Sequence, residues 1–273
     1  MISPLYGQLS PLRVPTKAVR QPVSDAHAEA YLVAVEAADL NLIEDSVAEA
    51  INNFVVGCKA DGIWSALKAS CILAGARTLS GALVPLVGTA PSPVNFLPAD
   101  YSRKTGLKGN ATTKRLNTNR ADNADPQNSK HFAVYQTESE IRNLTGSIAK
   151  TAISGGNALT SSELLTFNHG RRFRLNSAAA IATDTVSSLY FWGASRSGAS
   201  AQVMRFNGAN TNSTLASSTP PTSVIGVFSR GGASISSPSD ARISFYSIGE
   251  NLNLALLDSR VSTLMTDLAA AIP

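Results

Sequence analysis

From residue 105 onward the sequence is divided into short runs in which apolar and polar residues alternate. Glycine, asparagine, serine and aspartate separate the runs, and an alternation of this period is typical of strands that bury one face. A succession of such strands with frequent turn signals favours a β-sandwich or jelly roll. The predicted strands span 113–118, 130–137, 144–149, 163–168, 171–176, 186–194, 201–207, 222–228 and 241–248.

One turn between these strands has a specific signature. Asn207 and Gly208 follow the alternating run 201–207 directly. The Asn-Gly dipeptide is the strongest short-range signal for a tight hairpin, because both residues tolerate a positive φ. We therefore predict a hairpin turn at this position.

The chain ends with a strand pattern that passes directly into a helix pattern. The residues Gly-Glu-Asn at 249–251 predict the turn between the two. In the predicted last strand we expect alternating faces, with Ile243, Phe245 and Ser247 on one side and Arg242, Ser244 and Tyr246 on the other. The helix that follows has apolar residues every three or four positions, which predicts an amphipathic helix over 251–273 that covers an apolar surface. Its stripe consists of Leu257, Val261, Leu264, Leu268 and Ile272.

Helical patterns also dominate residues 25–80. Ser24 or Asp25 can cap a first helix, and a second run places four apolar residues on one face. These residues are Ile43, Val47, Ile51 and Phe54. The run 63–76 predicts a third short helix with a buried side formed by Trp64, Leu67 and Cys71. Residues 81–104 are interpreted as a connection to the sandwich, which spans 105–250.

The first 24 residues form a basic segment interrupted by prolines. We predict an extended arm that anchors the protein on a neighbour, because its apolar residues are unusual for a solvated tail. A flexible tail is the alternative. The anchoring residues are predicted to be Leu5, Tyr6, Leu9, Leu12 and Arg13.

Composition and charge exclude several classes of protein. The formal net charge is +4, but the positive residues are spread along the chain and not clustered as in nucleic-acid-binding proteins. Neither a secretory signal nor a membrane-spanning segment is expected, so we predict folding in a cytoplasm without membrane insertion. Cys58 and Cys71 lie in apolar runs without neighbouring histidines, which predicts buried free thiols and no metal site.

Several segments resemble strands of the laminin-G-like or concanavalin A-like jelly roll. Residues 105–118 resemble its first strand and residues 130–139 the next, while the segment from Tyr190 to 213 resembles the central hairpin. The segment 223–252 resembles the closing pair of strands, followed by the short helix of that fold. The resemblance implies a mainly β, antiparallel sandwich with an N-terminal helical segment and a C-terminal helix.

The whole chain also resembles virion proteins of tailed bacteriophages and prophages, particularly of marine bacteria. In those proteins a helical piece like residues 54–88 precedes such a jelly roll. The resemblance implies a virion surface appendage, a fibre or knob, that binds other virion proteins through residues 1–24 and forms a homotrimer. Its jelly roll would bind a host-surface glycan or receptor. A capsid decoration protein and a polysaccharide-cleaving tail enzyme are the alternatives.

Enzymatic function is not expected. Glycan-cleaving members of the fold family carry several acidic residues alternating along one strand, whereas here only Glu138 and Glu140 lie two positions apart. His27, His131 and His169 are far apart and lack a neighbouring nucleophile motif.

Two further sets of residues are candidates for ligand binding. Asp122 and Asp125, within residues 120–128, can bind calcium, although an Asx-rich turn without metal is favoured and no cofactor is predicted. Tyr190 and Trp192 are candidates for contact with a glycan, but core positions are favoured for both.

Overall fold

Two antiparallel β-sheets stacked face to face form the centre of the described structure. The computed structural model describes residues 20–139, 149–156, 160–167, 170–183, 189–231 and 235–273. Four helices accompany the sheets in these residues: α1 (Ala26–Asp39), α2 (Asp45–Ala60), α3 (Leu79–Ala82) and α4 (Leu254–Ala271). The predicted fold class is confirmed, because helices from both ends of the chain accompany an antiparallel sandwich.

The first sheet lies in the middle of the molecule and is called the inner sheet. Its strands are β1 (Leu67–Ile72), β3 (Tyr101–Ser102), β4 (Gly106–Lys108), β6 (Lys130–Glu138), β11 (Tyr190–Gly198), β12 (Ala201–Phe206), β13 (Ala209–Ser213) and β15 (Arg242–Gly249). Their order is β13-β12-β11-β6-β15-β4-β3, and β1 pairs with β15. The strands therefore leave sequence order, as expected of a jelly roll.

The second sheet, called the outer sheet, covers one face of the inner sheet. Its strands are β2 (Ser92–Val94), β5 (Arg115–Ala121), β7 (Ala149–Ser154), β8 (Glu163–Phe167), β9 (Gly170–Arg174), β10 (Ile181–Thr183) and β14 (Val224–Val227). Their order is β10-β9-β8-β7-β14-β5-β2. Most of the predicted strands coincide with these elements within a few residues, whereas 144–149 falls, except for its last residue, outside the described residues.

The alternation of side chains along the inner sheet creates two hydrophobic cores. On β6, Phe132 and Val134 face the outer sheet, while Ala133 and Tyr135 face the helices. The helix side is closed by buried residues of α1, α2 and α4, so both faces of the central strands β6, β11 and β15 are largely removed from water. Burial of this kind is the main favourable term in folding.

The helices form where the sequence predicts them at both ends of the chain. Asp25 caps α1 by accepting hydrogen bonds from the amides of His27 and Ala28. All four residues of the predicted apolar face of the second helical run are buried. The predicted stripe of α4 is buried as well, with Leu257, Val261 and Leu268 fully enclosed between the helices and the inner sheet.

The third predicted helix is wrong, since residues 67–72 form strand β1. This strand pairs with β15, with Leu67 opposite Gly249 and Ile72 opposite Phe245. Leu67 and Ile72 pack in the helix-side core, and Cys71 packs between the sheets. A strand buried on both faces has a continuous apolar run, which periodicity alone cannot distinguish from a buried helix.

The predicted faces of the last strand are wrong in one respect. Ile243 packs between the two sheets, whereas Phe245 packs against the helices. The pairing of β15 with β6 shifts register between these two residues. An irregularity of this kind turns successive side chains to the opposite face, so simple alternation fails there.

The predicted arm and the predicted connection are described in part. Arg20 is buried and forms ion pairs with Glu29 and Glu36, whereas Gln21, Pro22 and Ser24 are exposed. The predicted connection 81–104 contributes β2 to the outer sheet and β3 to the inner sheet. Among the described helices, none combines the length and the apolar character that crossing a bilayer requires.

Candidate functional site

A cleft of about 500 Å³ lies between the inner sheet and α4, at the end of the sheet where β11 begins. Its walls come from the first residues of β11, the turn between β12 and β13, and the side of α4 that faces away from the core. The side chains that give the cleft its chemistry are Tyr135, Tyr190, Asn207, Asp258, Ser262 and Thr266.

Tyr190 is the exposed aromatic residue of this cleft. Its side chain and backbone are 58% exposed, and its ring lies 5.7 Å from that of Tyr135, measured between centroids. Its φ is +89°, a backbone conformation that is strained for a bulky residue. A strained conformation persists only where the surrounding structure holds it in place. Residues in such conformations are found preferentially at functional sites.

Tyr135 forms the floor beneath Tyr190. It is almost completely buried and belongs to the core on the helix side of the inner sheet. Burial raises the pKa of Tyr135 to about 12, and the neighbouring Tyr190 and Asp258 act in the same direction. The phenol therefore keeps its proton at neutral pH and can donate a hydrogen bond into the cleft.

Helix α4 supplies the polar wall. Asp258, Ser262 and Thr266 follow one another at intervals of four residues, so they lie along one side of the helix. The hydroxyl of Ser262 donates to Oδ1 of Asp258 over 3.1 Å, and that of Thr266 donates to the carbonyl of Ser262 over 3.0 Å. Helix α4 therefore packs its apolar side against the core and presents its polar side to the cleft.

The carboxylate of Asp258 is held in place by Arg205 of β12. Nε of Arg205 donates to Oδ2 of Asp258 over 2.7 Å, and its Nη1 donates to Oδ1 of Asn210 over 3.0 Å. Both charged side chains are largely buried. The ion pair fixes α4 against the β12–β13 hairpin and orients the carboxylate at the cleft.

The predicted hairpin turn places Asn207 at the mouth of the cleft. Asn207 and Gly208 have φ values of +51° and +73°, and they join β12 to β13 as a two-residue turn. Two consecutive positive φ values define a type I′ turn, which confirms the prediction from the Asn-Gly dipeptide. The amide side chain of Asn207 is exposed at this position.

Gly208→Ala is expected to destabilise the protein by about 1–2 kcal/mol, because alanine at a positive φ is strained. A Cβ at Gly208 would meet no atom within 4 Å, so the loss arises from the backbone alone. Gly198→Ala is the matched control, since its Cβ would make only an ordinary contact with Ala201 at 3.6 Å. We expect the control to lie within about 0.5 kcal/mol of the unmodified protein. Urea denaturation measures the free energy of unfolding of both variants. Equal losses would contradict the assignment of a positive-φ turn at Gly208.

The two aromatic candidates of the sequence have different positions. Trp192 is fully buried between the sheets, where it stacks edge to face on Phe173 and lies under the guanidinium of Arg171. The prediction of a core position is confirmed for Trp192 and wrong for Tyr190. Regular alternation along β11 would place both residues on the same face, because they are two positions apart. The positive φ at Tyr190 turns this residue away from the regular strand.

The candidate acids are engaged by neighbouring cations. Glu138 accepts hydrogen bonds from Lys108 and Arg242, and the bond from Lys108 is the main reason why the pKa of Glu138 lies below its usual value. Glu140 lies outside the described residues. Asp122 is paired with Lys130 and Asp125 with Arg120, so both carboxylates of the calcium candidate have protein partners.

The remaining candidates are structural or lie outside the described residues. His131 is buried against Ser247, whereas His169 and the anchoring residues Leu5, Tyr6, Leu9, Leu12 and Arg13 are not described. Cys58 and Cys71 are buried, as predicted, and burial raises the pKa of each thiol to about 12. Thiols of this kind are unreactive at neutral pH.

Comparison with known proteins identifies the fold and no family. No protein-family model matches the sequence, and the curated proteins contain no match. The fold is similar to that of the botulinum neurotoxin serotype D binding domain, with a TM-score of 0.52, 10% identity and coverage of 76% of this chain and 52% of that chain. The receptor-binding domain of the botulinum neurotoxin C/D mosaic serotype gives a TM-score of 0.51, 10% identity and coverage of 73% and 51%.

A third structure of similar fold is the serotype D ligand-binding domain in complex with N-acetylneuraminic acid. Its TM-score is 0.44 at 13% identity, with coverage of 76% of this chain and 52% of that chain. The chain thus spans about half the length of the solved structures that it matches. The TM-scores of 0.52 and 0.51 show a common fold, and at 10% identity they show the fold alone, so function has to be argued from the site itself.

Proposed function

We propose that the protein is a non-enzymatic surface appendage of a bacteriophage virion and binds a host-surface glycan in the cleft at Tyr190. The observation that carries the glycan proposal is the exposed Tyr190 ring beside hydroxyl, amide and carboxylate groups. A pyranose has an apolar face of C–H groups and a rim of hydroxyls. An aromatic face next to several hydrogen-bonding groups matches both parts of such a ligand.

The size and construction of the cleft support a small ligand. About 500 Å³ lies within the range of roughly 300–1,000 Å³ that is typical of small-molecule sites. Tyr135 and Asp258 are held by packing and hydrogen bonds before any ligand arrives. Preorganised groups reduce the entropic cost of binding.

Binding without cleavage is proposed because of the acidic groups. Glycosidases place two carboxyl groups on either side of the scissile bond. Among the described residues that line the cleft, Asp258 is the one carboxylate, and it is engaged by Arg205 and Ser262. Glu138, the described member of the sequence candidate pair, is held ionised by two cations and is a poor proton donor.

The virion part of the proposal rests on the resemblance of the sequence to phage structural proteins. On this proposal residues 1–24 bind other virion proteins, and three copies associate with the sandwich displayed outward. The architecture is also found in receptor-binding domains of neurotoxins, which is an analogy at the level of fold. Purified particles carrying a copy without residues 1–19, which keeps the buried Arg20, test the arm: loss of the protein from the particle, with solubility retained, is expected.

Tyr190→Ala is expected to weaken glycan binding at least tenfold, because it removes the aromatic face. The exposed position of Tyr190 means that folding stability should change by less than about 1 kcal/mol. Tyr190→Phe keeps the face and serves as the matched control, with most of the affinity retained. Binding is measured on an array of bacterial polysaccharides and defined oligosaccharides, followed by calorimetric titration of the tightest ligand.

The outcomes of this array separate the candidate functions. Binding that requires Tyr190 supports the proposal. An array without any bound glycan, together with location of the protein on the capsid shell, would overturn it in favour of a decoration protein. Shortening of a bound polysaccharide during incubation would instead favour the tail enzyme.

A further inference from the structure

We infer that the cleft at Tyr190 selects uncharged sugars, and that Asp258 is the residue that rejects acidic ones. This inference rests on the proposed function, since it assumes that the ligand is a glycan. It concerns the chemical class of the sugar, which the fold comparisons do not determine.

The charge at the cleft is the first argument. Among the described residues that line it, Asp258 is the one that carries a charge, while the others are aromatic, aliphatic, amide or hydroxyl residues. The nearby cation, Arg205, is largely buried beside Asp258 and Asn210, to which it donates, and it does not line the cleft. A sialic or uronic acid in this cleft would bring its carboxylate close to that of Asp258, and like charges in a partly dehydrated cleft repel each other.

The acceptor capacity of Asp258 is the second argument. An ionised carboxylate offers about four lone-pair positions on its two oxygens. Ser262 occupies one on Oδ1, and Arg205 occupies one on Oδ2. The remaining positions can accept hydrogen bonds from two neighbouring hydroxyls of a neutral sugar whose apolar face lies on Tyr190. Arg205 therefore acts as a positioning residue, which fixes the orientation of the carboxylate.

The net charge of the whole chain predicts the opposite preference, for acidic sugars. A formal charge of +4 attracts acidic polysaccharides at long range, particularly at low salt. Selection in the bound state, however, depends on the groups within contact distance. The two effects can be separated, because long-range attraction falls with added salt whereas discrimination at the cleft persists.

The test compares paired probes that differ in one acidic group. Methyl glucoside with methyl glucuronide is one pair, and neutral bacterial oligosaccharides with their uronic-acid counterparts are others, all measured at 150 mM salt by calorimetry. We expect the neutral member of each bound pair to bind at least tenfold more tightly than its acidic counterpart. Asp258→Asn, which removes the charge at nearly constant shape, is expected to reduce this ratio to less than threefold.

Asp61→Asn is the matched control for charge. Asp61 forms an ion pair with Arg260 of α4 and does not line the cleft, so its removal changes the net charge equally. The neutral-to-acidic ratio is expected to remain at least tenfold in this variant. A similar fall in both variants would show that the general charge governs selection and would overturn the inference.

The remaining outcomes distinguish this inference from the proposed function. Preference for the acidic probes, if abolished by Tyr190→Ala, would overturn the inference and leave the glycan proposal standing. An unchanged ratio in Asp258→Asn would also overturn it, because another group would then discriminate. Absence of binding to every probe and to the polysaccharide array would count against the proposed function and the inference together.

Discussion

Lys130→Met is expected to lower the free energy of unfolding by about 3–5 kcal/mol, the range for breaking a buried ion pair from one side. Lys130 and Asp122 are both fully buried, and Nζ of Lys130 lies 2.6 Å from Oδ1 of Asp122. The ammonium also donates to the carbonyl of Asp122 and to Oδ1 of Asn176. The substitution would leave a buried carboxylate without its cation.

The pKa shifts of Asp122 and Lys130 also indicate that each charge depends on the other. Burial raises the pKa of Asp122 and lowers that of Lys130, because both charges are removed from water. Each ion is therefore stabilised chiefly by the other. The double variant Lys130→Met/Asp122→Asn removes both charges and is expected to recover part of the loss.

Lys108→Met is the matched control for this experiment. Lys108 pairs with Glu138 near the surface, where both side chains are partly exposed. Surface pairs contribute about 0–1 kcal/mol, so the control should remain close to the unmodified protein. Urea denaturation of the three variants measures the difference. Equal losses for Lys130→Met and Lys108→Met would contradict the structural role of the buried pair.

The second large effect is a loss of stability with falling pH that originates at His131. This residue is fully buried, with Nδ1 2.6 Å from the carbonyl of Glu250 and Nε2 2.7 Å from the hydroxyl of Ser247. Because a carbonyl only accepts, Nδ1 must carry the proton and Nε2 accepts from Ser247. Burial lowers the pKa of His131 to about 4, which means that the folded protein favours the neutral ring.

The direction of the pH effect follows from this shift. An unfolded histidine has a pKa of about 6.5, so the unfolded chain binds the proton first as the pH falls. The contribution to stability is complete above about pH 6.5 and is lost progressively down to about pH 4. The difference of about 2.5 pKa units corresponds to about 3 kcal/mol.

Urea denaturation between pH 7 and pH 4 measures this loss. His131→Gln cannot titrate, so its unfolding free energy should be flatter over this interval than that of the unmodified protein. His27→Gln, at a largely exposed position, is the control and should retain the full dependence. Parallel curves for His131→Gln and the unmodified protein would contradict the assignment.

Most of the sandwich could be predicted from sequence because its strands alternate or are bounded by turn residues. Asn207 and Gly208 indicated the turn between β12 and β13, and the apolar stripe of α4 indicated a covering helix. Strand β1 could not be predicted in this way, because both of its faces are buried. The reversal between Ile243 and Phe245 depends on a register shift, which local alternation does not encode.

The candidate site was predictable only in its parts. Asp258, Ser262 and Thr266 have a spacing that places them on one side of a helix, and Tyr190 was a candidate from its residue type. The three residues of α4 lie next to Tyr190 because of the way α4 packs against the start of β11 and because of the backbone conformation of Tyr190. Both are consequences of tertiary packing, so no local pattern in the sequence indicates the cleft.

The most direct test of glycan binding is a crystal structure of the protein with the neutral oligosaccharide that binds most tightly on the array. We expect a pyranose ring lying on the face of Tyr190, with two hydroxyls within about 3 Å of the carboxylate of Asp258. The ion pair between Asp258 and Arg205 should be unchanged. A sugar bound at another surface, with the cleft at Tyr190 free of ligand, would contradict the assignment of this site.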